Sequence, residues 1–108
     1  MRGEQARGFK IGFTNRTIWD EYGVHQPIWG DIYDTTVSWL SEHKGPFHLK
    51  GLAEPRIEPE IVFKLKSKPN SSMDEAALLA CMEWVAHGFE LVQSLFQDWR
   101  FSVADTIA

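Results

Sequence analysis

The segment from Arg56 to Phe63 constrains the fold most, because two carboxylates flank a proline and an apolar, β-branched run follows. Proline holds its neighbours extended and lacks an N–H donor, so the segment predicts a strand near a sheet edge or a bulge. Side chains alternate faces along a strand, which places Glu58 and Glu60 on one face about 7 Å apart. The opposite face is apolar and consists of Ile57, Pro59, Ile61, Phe63 and Leu65.

The two glutamates suggest a metal site. Like charges held this close repel each other, and a cation between them removes the repulsion. Carboxylate oxygens suit a hard divalent ion such as Mg²⁺ or Mn²⁺. A solvated polar strand face explains the same two residues, so the tripeptide alone leaves both interpretations open.

Composition sets the broad class of protein. A chain of 108 residues with 44% apolar content predicts a single domain, residues 1–108, that buries a core. A net charge of −4 argues against a nucleic-acid partner, since phosphate binding needs a basic face. Cys81, the one cysteine, cannot form an internal disulfide. The sequence has no apolar run of about 18 residues and no signal peptide, so we expect a cytoplasmic protein without a membrane partner.

Hydrophobic alternation and turn residues divide the chain into short elements. Residues 8–13 predict a strand, and Thr14 or Asn15 can cap a short helix over residues 16–22 that Gly23 ends. Further along, the patterns predict a loop over 26–30, a strand or irregular connection over 31–37, strands over 47–52 and 57–66, and a loop over 67–71.

The clearest helix signal begins at Ser72, where serine and Glu75 match a capping box. Apolar periodicity would let this helix continue to Phe96, but Gly88 resembles a C-terminal stop. In a continuous helix, a metal-binding face would carry Glu83, His87 and Glu90. We prefer a helix over residues 74–87 followed by a strand over 89–93, which frees Glu90 to point at the Glu58/Glu60 pair.

Five segments fall in the order expected of one family: KIGFTN at 10–15, YGV at 22–24, QP at 26–27, IEPEIVF at 57–63 and GFELV at 88–92. The chain resembles the 2-keto-4-pentenoate hydratase and 4-oxalocrotonate decarboxylase branch of the fumarylacetoacetate hydrolase superfamily. The resemblance covers roughly residues 8–108. It implies an α+β fold, with a curved, mostly antiparallel sheet and one main helix.

The resemblance also implies a site and a chemistry. Glu58, Glu60 and Glu90 would hold Mg²⁺ or Mn²⁺, and the substrate would be a small 2-keto acid or 2-hydroxydienoate. Lys10 matches the active-site lysine of the family, as a catalytic and substrate-binding residue. Weaker candidates for hydrogen bonds to the substrate are Thr14, Asn15 and Gln26.

Two departures from the family bear on activity. Many hydratases of this branch carry an aspartate for proton transfer directly after the Gln-Pro pair, where this chain has Ile28. This difference favours decarboxylation or simple binding over hydration. Family chains are also much longer, so this chain corresponds to their central part. The alternative to an enzyme is an inactive truncated fragment that binds keto acids or self-associates, and we expect a homo-oligomer that covers exposed sheet edges.

Overall fold

The computed structural model describes residues 3–102, which form two compact units, each built on its own antiparallel strand pair. Of the described residues, the first unit contains 3–48 and 99–102, and the second contains 49–98. Helices and antiparallel strands occur in both halves, so the expected α+β class is confirmed. The expected single curved sheet is wrong for the described residues, because the four strands form two separate two-stranded sheets.

In the first unit, strand β1 (Ala6–Gly12) pairs antiparallel with strand β2 (Ile28–Tyr33). A 3-10 turn (Arg16–Ile18) and the short helix α1 (Trp19–Tyr22) connect the two strands. As predicted, the side chain of Asn15 caps this segment, since its Oδ1 accepts from the Thr17 N–H at 3.0 Å. Gly23 ends α1 with φ of 63°, a left-handed conformation that glycine adopts at no steric cost. Strand β2 begins inside the predicted loop over 26–30.

Aromatic side chains hold the connection of the first unit together. The indole N–H of Trp19 donates to the Phe13 carbonyl at 2.8 Å. The ring of Tyr22 lies 5.5 Å from that of Phe13 and 5.7 Å from that of Phe101, centroid to centroid. Beside these rings in sequence, Val24 is buried. The Phe13–Tyr22 contact is edge-on and the Tyr22–Phe101 contact is tilted, and such ring pairs stabilise a small unit beyond the area that they bury.

In the second unit, strand β3 (Arg56–Leu65) pairs antiparallel with strand β4 (Met82–Val92), and helix α2 (Glu75–Ala80) precedes β4. A 3-10 turn (Gln97–Trp99) begins in this unit and ends at Trp99, the first residue that returns to the first unit. The N-cap of α2 is Asp74 and not the predicted Ser72. The carboxylate of Asp74 accepts from the Ala77 N–H at 2.8 Å, whereas Ser72 donates to the Asn70 side chain.

Two predicted elements are wrong. The helix predicted over 74–87 ends at Ala80, and β4 runs through Gly88 without a break, because the alternating pattern from Met82 onward pairs with β3 along its whole length. This long-range pairing outweighs the local helix preference of residues 81–87. No strand forms over residues 47–52, which the structure describes as irregular. There the Leu52 N–H donates to the Leu49 carbonyl at 3.1 Å and closes a turn at Gly51, whose φ is 95°.

Burial is sparse throughout the described residues. Of the apolar side chains in residues 3–102, only Val24 and Cys81 are buried. None of the helices in this part of the chain is long and apolar enough to span a bilayer. The cytoplasmic location remains a prediction from the sequence.

Candidate metal centre

The pairing of β3 with β4 gathers three carboxylates on one sheet face. Glu58 lies directly opposite Glu90, and Glu60 lies two residues further along β3. Residues paired across strands, and residues two apart along a strand, point to the same face. One carboxylate oxygen from each of the three lies within 4.8 Å of the other two.

The Glu-Pro-Glu sequence produces this arrangement through the position of β3. Pro59 separates the two glutamates and projects to the opposite face, where it pairs with Phe89. Because the sheet has two strands among the described residues, β3 has an edge on which the missing N–H of a proline breaks no ladder bond. The edge-strand prediction is therefore confirmed.

The carboxylates lie at the boundary between protein and water. Glu58 is exposed, whereas Glu60 and Glu90 are half-buried. Three negative charges this close repel one another, and partial burial of two of them strengthens the repulsion relative to bulk water. The nearby Lys64 forms an ion pair with Glu83 at 3.0 Å. A small multivalent cation that binds oxygen would relieve this repulsion.

The position across from Glu60 is Gly88, so three of the four places in this part of the ladder carry a carboxylate. A Cβ at Gly88 would lie 2.7 Å from the Cγ2 of Val62, closer than real Cβ contacts. Val62 therefore covers Gly88, and its methyl groups form an apolar border beside Glu60. The local sequence pattern predicted a helix stop at Gly88 and not this close approach, although glycine inside a strand pattern often marks one.

The donor set fits a hard divalent ion. Mg²⁺ binds oxygen ligands at about 2.0–2.1 Å, so two ligands on opposite sides of the ion lie about 4.2 Å apart. Ligands that are neighbours on the ion lie about 3 Å apart, and at least two of the three pairs must be neighbours, so carboxylate oxygens up to 4.8 Å apart must approach one another by about 1–2 Å. Glutamate side chains on an accessible face make such movements by rotation of their terminal bonds.

The alternative metal site on a continuous helix is wrong. Glu83, His87 and Glu90 all belong to β4, and strand alternation points His87 to the face opposite Glu90. Within β4, the residue that joins the Glu58/Glu60 pair is Glu90 alone.

The remaining predicted site residues belong to the first unit. Lys10 lies in β1 opposite Gly30, is half-buried, and donates from Nζ to the Ile11 carbonyl at 3.3 Å. Thr14 and Gln26 are exposed. The Oδ1 of Asn15 already accepts two hydrogen bonds from Thr17, from its N–H and from its hydroxyl, so this residue has a structural role of its own. The roles of these four residues in substrate binding remain predictions.

The strand pair and its carboxylates define an α+β chain with an acidic centre suited to a divalent cation. Over 98% of its length the chain is 39% identical to a 2-hydroxyhexa-2,4-dienoate hydratase of Comamonas testosteroni. It is 36% identical over 99% of its length to a 4-oxalocrotonate decarboxylase of a Pseudomonas species. A 2-hydroxypent-2,4-dienoate hydratase of Pseudomonas putida is 39% identical over 98% of this chain.

These similarities confirm the resemblance on which the site prediction depends: nearly the whole chain is similar to a part of these hydratases and of the 4-oxalocrotonate decarboxylase. The chain spans 40%, 41% and 47% of the three relatives, respectively. No family model matches the chain.

Proposed function

We propose that Glu58, Glu60 and Glu90 bind Mg²⁺ or Mn²⁺ and that the resulting site takes a small 2-keto acid or 2-hydroxydienoate for hydration or decarboxylation. The observation that carries the proposal is the meeting of the three carboxylates within 4.8 Å from two strands that are distant in sequence. The names of the relatives support the substrate class, since they are hydratases of 2-hydroxydienoates and a decarboxylase of 4-oxalocrotonate.

The side chains of the cluster have a defined task in this proposal. Three carboxylates balance more than the charge of one divalent ion and leave the loaded centre near −1. When bound, the ion supplies Lewis-acid polarisation of a keto oxygen. Glu60 and Glu90, which are half-buried, hold their oxygens in a partly desolvated setting where electrostatic attraction is stronger than in water. Exposed Glu58 stands on the accessible side of the cluster.

An anionic substrate needs a cation, since the loaded carboxylate cluster repels it. We assign this task to Lys10, which the family resemblance marks as the active-site lysine. Its ammonium group would pair with the substrate carboxylate as a charge-assisted hydrogen bond. Thr14, Asn15 and Gln26 are proposed as secondary polar contacts.

The second candidate is a protein that binds keto acids without turning them over. It is favoured by Ile28, which carries no proton-transfer group at the start of β2. Both candidates require the same carboxylate cluster, so a binding measurement alone does not separate them.

The experiment measures loss of ultraviolet absorbance from a 2-hydroxydienoate and from 4-oxalocrotonate, with Mg²⁺ or Mn²⁺ and with EDTA. An enzyme shows metal-dependent loss that is abolished in Glu60→Gln and retained in Glu83→Gln, since Glu83 pairs with Lys64 outside the cluster. A binding protein shows a metal-dependent thermal shift with pyruvate or oxalate and no absorbance change. If neither signal appears, and if metal and chelator leave the stability unchanged, both candidates are rejected.

A further inference from the structure

The side of the β3–β4 sheet that carries the three carboxylates, which we call the acidic face, changes character along its length. Beyond Glu60, the next positions on this face belong to Val62, Gly88 and Ala86, and Val62 pairs with Ala86 across the strands. These three residues bring no charged or hydrogen-bonding side chain. At the other end of the carboxylate cluster, β3 begins with Arg56. The cluster therefore has an apolar neighbour on one side along β3 and a charged neighbour on the other.

Val62 takes up the space that a side chain at position 88 would fill. A Cβ at Gly88 would lie 2.7 Å from the Cγ2 of Val62 and 3.8 Å from the Cβ of Glu60. Because paired Cβ atoms across a sheet ordinarily lie about 4.5–5.5 Å apart, the two strands approach each other closely at this point. A methyl group of Val62 therefore lies close to the Gly88 backbone, at the position directly across from Glu60.

The rest of the Val62 side chain remains accessible. Val62 is 42% exposed, and its partner Ala86 is exposed as well. A β-branched side chain has few rotamers, so the contact with Gly88 holds these methyl groups in one place. Residues two apart on a strand lie about 7 Å apart, which brings this small apolar wall within reach of a molecule bound at Glu60.

A 2-keto acid has a polar end and a hydrocarbon end, and the two ends need different surroundings. In the proposed function, the carboxylate and the keto oxygen lie at the metal that the cluster holds. The carbons beyond the keto group are stabilised where they leave water for apolar surface. Along β3, that surface lies on the side of Val62 and not on the side of Arg56.

We propose that Val62 is a specificity-determining residue, which contacts the hydrocarbon chain of a metal-bound 2-keto acid and favours long chains over pyruvate. This inference rests on the proposed function. A fully buried methylene contributes about 0.8 kcal/mol, so a methylene covered on one side gains about twofold in affinity. 2-Oxohexanoate has three more methylenes than pyruvate, and its dissociation constant should be about eightfold lower.

Isothermal titration calorimetry of the full chain in saturating Mn²⁺ tests this proposal, with pyruvate, 2-oxohexanoate and oxalate as ligands. Oxalate chelates a metal in the same way but has no hydrocarbon chain, so it reports the metal centre alone. Val62→Thr keeps the shape of the side chain and exchanges a methyl group for a hydroxyl. We expect oxalate to bind this variant as it binds wild type, while the preference for 2-oxohexanoate falls to about fourfold or less.

Two further variants separate a contact with the ligand from an effect on the sheet. Val85→Thr makes the same exchange on the opposite face, where Val85 pairs with Phe63 and is 61% exposed, and should keep the preference of wild type. Val62→Ile adds a methylene to the apolar wall and should raise the preference about twofold.

The outcomes distinguish this inference from the proposed function. Wild type that binds oxalate but does not discriminate between the two keto acids overturns the inference alone. A preference that is unchanged in Val62→Thr, or that falls equally in Val85→Thr, also overturns it and leaves the metal centre in place. Wild type that binds neither Mn²⁺ nor oxalate rejects the proposed function, and the role of Val62 is rejected with it.

Discussion

Replacing Glu90 by glutamine should reverse the order of stability between wild type and variant, depending on whether a divalent ion is present. At 4.8 Å in a medium of water-like dielectric, two unit charges repel by about 1 kcal/mol. Glu90→Gln removes two such pairs, and physiological salt screens the sum to about 1 kcal/mol. Without a cation, the loss of this repulsion contributes about 1 kcal/mol to the free energy of unfolding in favour of the variant.

A bound ion inverts this order. For wild type, an ion at 100 times its dissociation constant adds about 2.7 kcal/mol to the free energy of unfolding. Glu90→Gln loses one of three carboxylate ligands, and we expect its gain at the same ion concentration to fall below about 1 kcal/mol. Urea titrations at neutral pH in EDTA, and again in Mg²⁺ or Mn²⁺, measure both quantities on the same two proteins.

Glu83→Gln is the control for this experiment. Glu83 also lies in β4, its side chain is 46% exposed, and it pairs with Lys64. Loss of such an exposed pair changes stability by about 0.5 kcal/mol, and the response to the ion should match wild type. The reasoning is refuted if Glu90→Gln is less stable than wild type in EDTA and gains as much from the ion.

Three further predictions concern the second unit. Gly88→Ala places a Cβ 2.7 Å from Val62 and should lower the free energy of unfolding by about 1–3 kcal/mol, with partial rescue by the added Val62→Ala, as urea titration will show. Asp74→Ala should cost about 1 kcal/mol through the lost cap, whereas Ser72→Ala should change little; an equal loss in both would contradict the observed cap. The Cys81 thiol should react with Ellman's reagent only when the chain unfolds, so fast labelling of native protein would contradict its burial.

Local sequence signals predicted the parts of the fold that depend on neighbouring residues. The alternation around Ile11, the Asn15 cap and the Gly23 stop each act within a few residues, and the structure follows them. The β3 prediction succeeded for the same reason, because proline restricts its neighbours wherever it occurs.

Predictions that depended on distant partners were less successful. Residues 81–87 are compatible with helix or strand, and only the ladder with β3 decides between them. Periodicity carries no information on the extent of that ladder, so the predicted helix is too long and Gly88 lies inside β4 and not at a helix end. The prediction that Glu90 meets Glu58 and Glu60 depended on the family resemblance, because no spacing rule links residues about thirty positions apart.

A single pairing pattern fixes both surfaces of the β3–β4 ribbon. Because consecutive side chains point in opposite directions, sliding β4 by one position would carry Glu90 among the isoleucines and bring Phe89 beside the other two acids. The acidic face and the apolar face of this strand pair therefore form together or are lost together. Insertions or deletions between Leu65 and Met82 are tolerated only if they leave that alignment unchanged.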